Sequence, residues 1–126
     1  MLLVDKHLVE SRTKAQWLIK QGFTYVDDKV IKKPGKLVDN NSKIEIYKQF
    51  PYVGRGGLKL EAALKSFSVN PNGKVCLDIG ASVGGFTDCL LKHNATKVYV
   101  VDTATNLLHP SLICKPEKVI KYLGVD

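Results

Sequence analysis

Two carboxylates and three glycines carry the chemistry this sequence could do. In "VCLDIGASVGGFTD", residues 75–88, an apolar run ends on Asp78, and Gly80, Gly84 and Gly85 follow. A second apolar run, "VYVVD", ends on Asp102, 24 residues after Asp78. A buried parallel strand delivers its last side chains to a crevice at its C-terminal end. Gly80 lets the chain turn sharply out of the strand. Gly84 and Gly85 remove side chains where the next helix starts, so that backbone or ligand can approach closely. An acid at the tip of the next strand, about 20 residues on, can accept both hydrogens of a ribose hydroxyl pair.

The spacing also discriminates between cofactors. The dinucleotide fingerprint is G-x-G-x-x-G, whereas this chain has Gly80-x-x-x-Gly84-Gly85. An acid just before the bend suits a cationic amino group better than a pyrophosphate. S-adenosylmethionine has an ammonium, a sulfonium and no phosphate, so it is the expected cofactor. The competing reading is a tight strand-to-helix turn with solvated acids. The second acid at this offset favours the pocket.

Elements must position these groups. In the second half of the chain, "GGLKLEAALKSF", residues 56–67, places Leu60, Ala63, Leu64 and Phe67 at helical spacing. "NPNG" breaks that helix, "KVCLDI" is a strand of nearly continuous apolar character, "GFTDCLLKH" a helix, "KVYVVD" a second buried strand and "KVIKYL" a third. Strand, helix, strand is the βαβ unit of a doubly wound sheet. The first half has another texture. Ser11 can cap a helix over "RTKAQWLIKQ" that stops at Gly22, with Ala15, Leu18, Ile19 and Phe23 as its apolar stripe. "FTYV", a turn at Asp27-Asp28, "KVI", a turn at "KKPG" and "KIEIY" read as short strands and their connections. The expected organisation is an α+β module over 1–48, a linker over 49–57, and an α/β segment over 58–126.

Composition bounds the function. The chain has 126 residues, 44% of them hydrophobic, and a net charge of +7, as expected for one globular domain or two small ones. No apolar run approaches the roughly 20 residues of a membrane span, and no signal peptide is legible, so the cytoplasm is the expected location. Cys76, Cys89 and Cys114 are far apart and away from His7, His93 and His109. They read as buried or incidental thiols, and no metal is expected. A basic balance suits a polyanion such as RNA, though solvated lysines give the same sum. Arg12, Lys14 and Lys20 lie on or beside the first helix, with Lys29, Lys32, Lys33 and Lys36 on the turns after it, a distribution that can track phosphates.

"RGGLKLEAAL", "KVCLDIGASVGGFTDCLL", "KVYVVD" and "LLHPSL", together with "LVESRTKAQWLIKQGFTYVDDKVIKKPGKLV" and "KIEIY", resemble the TlyA-type hemolysins. These are FtsJ-like ribosomal RNA 2′-O-methyltransferases with an N-terminal S-four-type, or alpha-L, RNA-binding domain. The resemblance implies an alpha-L module followed by the first part of a Rossmann-like class I methyltransferase domain. It implies that Asp78, Gly80, Ser82, Gly84, Gly85 and Phe86 line the methionine end of S-adenosylmethionine, that Asp102 takes the ribose and that Asp126 stands by the adenine. Lys59 matches the first lysine of the FtsJ-like catalytic set; by sequence physics alone it is a solvated helix lysine. Arg12, Lys14, Lys20, Lys32, Lys33 and Arg55 are the implied contacts to ribosomal RNA or a ribosomal subunit.

Three departures stand out. Val83 occupies a bend position that is usually small, hydroxylated or proline. "TATNLLHPSL" replaces a glycine-containing segment ending in Gln-Leu. The family's later aspartate and second lysine have no counterpart in these residues, and the chain is expected to be a fragment. With strands one to three only, the outer edge of the first strand would stay unpaired and invite self-association or a partner chain. The readings in play are an RNA methyltransferase, an RNA-binding protein with a vestigial methyltransferase half, and, last, the membrane-damaging activity of the hemolysin name.

Overall fold

The computed structural model describes residues 2–126, and the chain divides into two units between Phe50 and Pro51. In the first unit, helices α1 (Leu2–Asp5) and α2 (Arg12–Lys20) precede strands β1 (Thr24–Val26), β2 (Lys29–Val30) and β3 (Ile44–Ile46), which form an antiparallel sheet in the order β2-β1-β3. Ser11 caps α2, its Oγ accepting from the Lys14 N–H at 3.2 Å and satisfying an otherwise orphaned donor of the first turn. Gly22, at φ +79°, follows the C-cap residue Gln21, where a left-handed residue ends a helix without a Cβ penalty. Asp27 and Asp28 both take positive φ between β1 and β2, the conformation a two-residue hairpin requires. The Asp27 carboxylate accepts from the Lys43 N–H at 2.9 Å, which ties the hairpin to the start of β3.

The core of this unit is Leu3, Val9, Ala15, Leu18 and Ile19, with Phe23, Ile31, Ile44 and Ile46 packed around it. Ala15, Leu18 and Ile19 of the stripe read from the sequence are therefore the buried face of α2, while Phe23 lies beyond the helix and is only half-buried. One hydroxyl is out of place: Thr24 is 2% exposed, and its Oγ1 has no hydrogen-bond partner among the described residues.

The second unit runs α3 (Gly56–Ser66), β4 (Val75–Ile79), α4 (Gly85–Lys92), β5 (Lys97–Asp102), α5 (Pro110–Ile113) and β6 (Val119–Leu123). Its sheet is parallel, in the order β4-β5-β6, with Asp78 opposite Val100 and Asp102 opposite Leu123. Val98, Val100, Val119, Leu108, Leu112, Ala81 and Ala95 form its core. Helix α3 begins at Gly56, within the stretch read as linker.

Two patterns differ from the sequence reading. The nearly continuous apolar run of β4 predicts burial on both faces, yet Val75, Leu77 and Ile79 are 64%, 59% and 75% exposed. Cys76 and Asp78 occupy the other side, where Thr87 of α4 meets Asp78. β4 pairs only with β5 among the described residues, so the alternate residues face solvent beside an open edge. The stripe on α3 is likewise only partly covered. Leu60, Ala63 and Leu64 are half-buried, and Phe67 is the C-cap residue, 76% exposed. Only Gly57 of this helix is buried, and α3 packs on α4.

Candidate functional site

The tips of β4 and β5 are tied together across the glycine bend. Beyond Ile79 the chain turns, and the Gly80 N–H donates to the Val101 carbonyl at 2.8 Å. Gly80 has φ +74° and Ser82 φ +54°. The Ser82 N–H donates to Asp102 Oδ2 at 2.6 Å, and the Ala104 N–H donates to Asp102 Oδ1 at 2.9 Å. The hydrogen bonds from Ala104 and then Ser82 hold the Asp102 carboxyl below its ordinary pKa, because backbone donors favour the charged form. The Thr103 backbone and side chain add smaller contributions in the same direction, and the Asp102 residue is half-buried.

Asp78 is 6% exposed, and its Oδ2 accepts from the fully buried Thr87 hydroxyl at 2.7 Å. That bond fixes the carboxylate against the first turn of α4. The three glycines serve different purposes. A Cβ on Gly80 would meet nothing within 4 Å, so the bend is open on that side. Gly84, at φ +100°, lies where a Cβ would overlap the side chains of Leu112 and Leu108. A Cβ on Gly85 would press on the backbone of Gly54, Gly56 and Gly57. Gly84 and Gly85 thus permit close packing of α4, and Gly80 alone borders open space. The Phe86 ring lies against Gly56, 3.2 Å from the position of a Cβ there. Asp126 is exposed and follows Val125, whose N–H donates to the Asp102 carbonyl at 3.1 Å.

A second cluster holds the segment that leads into α3. Asp88, 3% exposed, accepts from the Val53 N–H at 2.9 Å and from Lys92 Nζ at 3.0 Å. Lys92 Nζ also donates to the Pro51 carbonyl at 2.7 Å. The Tyr52 hydroxyl donates to Glu61 at 2.6 Å, and its ring lies where a Cβ on Gly57 would be. Burial, followed by the Glu61 contact, pushes the Tyr52 phenol up. These bonds set the start of the helix that carries Lys59, which is exposed in its second turn. Arg55 is the N-cap residue, exposed and without a side-chain cap. The sequence reading missed this cluster. The Asp88–Lys92 pair at i,i+4 was its one visible signal.

In the first unit Arg12, Lys20, Lys32 and Lys33 are exposed. Arg12 and Lys33 line one cavity together. Lys14 differs: it is half-buried, paired with Glu10 at 2.6 Å and lies over the Phe50 ring at 5.8 Å. Much of its charge is therefore neutralised locally. Cys76 is half-buried, Cys89 buried and Cys114 exposed; burial pushes the Cys76 and Cys89 thiols up. No group of side chains suited to holding a metal ion occurs among the described residues. No described helix is long and apolar enough to cross a membrane.

A basic α+β module followed by a parallel βαβ sheet, with an acid at each of two adjacent strand tips and an open bend between them, is the arrangement of an S4 domain joined to part of an α/β methyltransferase domain. The chain belongs to the FtsJ-like methyltransferase family, whose profile matches residues 52–124, with an S4 domain over residues 1–44. It is 50% identical over 100 residues to Hemolysin A of Brachyspira hyodysenteriae, covering 79% of this chain and 41% of that one. It is 35% identical over 120 residues to the 16S/23S rRNA (cytidine-2'-O)-methyltransferase TlyA of Mycobacterium tuberculosis, covering 94% and 45%. A solved structure from Streptococcus thermophilus, described as a candidate hemolysin, superposes with a TM-score of 0.58 at 34% identity, over 99% of this chain and 46% of that one. The chain thus spans about two fifths of the length of the curated relatives it matches.

Proposed function

We propose that the second unit holds S-adenosylmethionine at the tips of β4 and β5 for methylation of a ribose 2′-hydroxyl in ribosomal RNA, to which the first unit binds. One observation carries this reading: the charged Asp102 carboxylate stands across a bend whose Gly80 side is free of side chains. When bound, the cofactor supplies an electrophilic methyl group on a sulfonium. Asp102, held at the tip of β5, accepts from the ribose hydroxyls. Asp78 contributes negative charge beneath the amino-acid end, held in place by Thr87. Gly80 leaves room for the ligand to lie against the backbone. Ser82 fixes the Asp102 rotamer through its N–H and forms the wall of the bend with Gly84, Gly85 and Phe86. Asp126, beyond the tip of β6, borders the adenine side. Lys59 lowers the barrier to hydroxyl attack by favouring the developing alkoxide. Arg12, Lys14, Lys20, Lys32, Lys33 and Arg55 supply cations for phosphates.

The substrate places the activity in the cytoplasm. These 126 residues carry the RNA module and one side of the cofactor pocket, and catalysis needs further segments. The open edge of β4, with Val75, Leu77 and Ile79 beside it, is the surface at which a partner chain or a second copy would pair. Tritiated methyl transfer to unmethylated ribosomal subunits tests the reading together with calorimetry. Saturable cofactor binding with no turnover by the isolated chain is expected. Robust turnover by the chain alone removes the need for further segments. Silence in the calorimeter leaves an RNA-binding protein with a vestigial second half.

A further inference from the structure

An antiparallel sheet with one face on a core normally turns polar side chains to water on the other. The sheet of the first unit departs from that pattern. Ile44 and Ile46 pack on the core of the unit, and Thr24 is buried. The alternate positions are Tyr25 on β1, Glu45 on β3 and, one step past β3, Tyr47; Tyr25 stands opposite both Glu45 and Val30. The Tyr25 and Tyr47 rings meet edge to face, with centroids 4.6 Å apart and planes at 77°. Tyr47 is 62% exposed. An edge-to-face contact occupies at most one side of a ring, so a flat side of Tyr47 is open to solvent. Its hydroxyl donates to Glu45 at 3.1 Å, which fixes the ring on the sheet. A ring left at the surface forgoes the stabilisation that its burial would give.

The charges around the rings select the ligand. The acids near them are offset: Lys43 pairs with Glu45 at 2.8 Å and reaches Asp28 at 4.0 Å. The cations at the other end of β1 are not. Lys48 Nζ lies 5.4 Å from the centroid of the Phe23 ring. The Lys32 side chain passes Gly22, its Cε 3.4 Å from where a Cβ would stand. Both lysines are exposed, and neither is in an ion pair among the described residues. An open aromatic face takes a planar π-system, and free cations beside it take an anion joined to that system. A nucleotide of single-stranded RNA supplies both, and aromatic side chains on a sheet are a platform on which unpaired bases stack. An apolar side chain of a protein partner would use the ring and leave the two cations unmatched. We propose that the outer face of this sheet stacks one unpaired base of the bound RNA. The base lies on Tyr47, Tyr25 supports that ring, and Lys48 and Lys32 take the adjoining phosphates. The proposal rests on the RNA-binding reading above and adds to it a site for the base, which phosphate contacts alone do not recognise.

The test titrates an eight-nucleotide oligouridylate and an abasic oligomer of the same length into the full chain and its variants over a range of salt. Wild type is expected to bind the base-bearing oligomer more tightly. Tyr47→Ala should lose about ten-fold in affinity for that oligomer, as the loss of one stacked base implies, and keep its affinity for the abasic one. The loss should be the same factor at every salt concentration, because stacking releases no counterions. Tyr47→Leu keeps an apolar contact with Tyr25 but offers no ring, and should behave as the alanine variant does. Tyr47→Phe loses only the hydroxyl and should bind as wild type. Lys48→Ala should weaken both oligomers and reduce the salt slope by about 0.7. Should Tyr47→Ala and Tyr47→Leu bind both oligomers as wild type does, the platform is overturned while RNA binding stands, and the exposed ring is left to a protein partner. Should Tyr47→Phe lose as much as Tyr47→Ala, the bond to Glu45 carries the effect and the stacking assignment fails. Should wild type bind neither oligomer, the RNA-binding reading fails as well.

Discussion

Substituting alanine at Gly80 and at Gly84 should separate a ligand-facing glycine from a packing glycine. At Gly84 an alanine would have to hold φ near +100°, a strain of about 1–3 kcal/mol. Its methyl would also overlap Leu112 and Leu108, and overpacking of that kind adds about 1–3 kcal/mol. The expected loss is therefore about 4 kcal/mol, a large part of the roughly 5–15 kcal/mol that holds a domain together. At Gly80 the φ of +74° imposes its own strain, but the added methyl would meet nothing within 4 Å. The expected loss there is about 1–2 kcal/mol. Amide exchange at Val98 and Val100, buried in the central strand β5, reads the stability of this unit. Gly80→Ala should leave those amides well protected while weakening S-adenosylmethionine binding by more than about ten-fold, since the methyl enters the corner the ligand would occupy. Equal losses of protection at the two positions would refute the distinction. So would a Gly84→Ala loss under about 1 kcal/mol.

Other outcomes follow from the same contacts. Asp88→Ala strands the Val53 N–H and frees Lys92. A loss of about 2–3 kcal/mol is expected in urea unfolding, and a change under about 0.5 kcal/mol would show that the 51–54 segment is held by something else. Ser11→Ala removes the α2 cap and should reduce stability by about 1 kcal/mol, checked by thermal melts. The Asp102 carboxyl is held below its ordinary pKa by the Ala104 and Ser82 amides. Its contribution to stability is therefore complete above the unfolded carboxylate value and disappears as pH falls through the lower folded value. Exchange at the Ser82 amide should accelerate relative to the Asp102→Asn chain in that acid window and nowhere above it. Arg12→Ala should lower the salt slope of RNA binding by about one unit, and Lys14→Ala, whose charge Glu10 already offsets, by less.

Local rules made much of the first unit legible. Ser11, the spacing of Ala15, Leu18 and Ile19, Gly22, and the Asp27-Asp28 turn each have a short-range physical cause, and the structure places each accordingly. The three parallel strands were legible for the same reason. What escaped depends on neighbours distant in sequence. The apolar run of β4 tells which faces could be buried, not which are covered, and Val75, Leu77 and Ile79 are left exposed. Gly84 and Gly85 carry the same letter as Gly80, yet only contacts with Leu112 and with residues 54–57 separate their tasks. Helix α5 spans four residues and starts at Pro110, too short for a periodic signal. Thr24 alternates correctly on its strand, and nothing in the sequence shows that its hydroxyl goes unpaired.

The central claim is that the joined tips of β4 and β5 form one side of an adenosyl pocket. Calorimetric titration of S-adenosylmethionine into the 126-residue chain tests it most directly. Saturable binding in the micromolar range, reduced at least about ten-fold by Asp102→Ala and by Gly80→Ala but unaffected by Ser11→Ala, is the expected result. Absence of binding to the folded chain, or equal affinity in all four proteins, would contradict it.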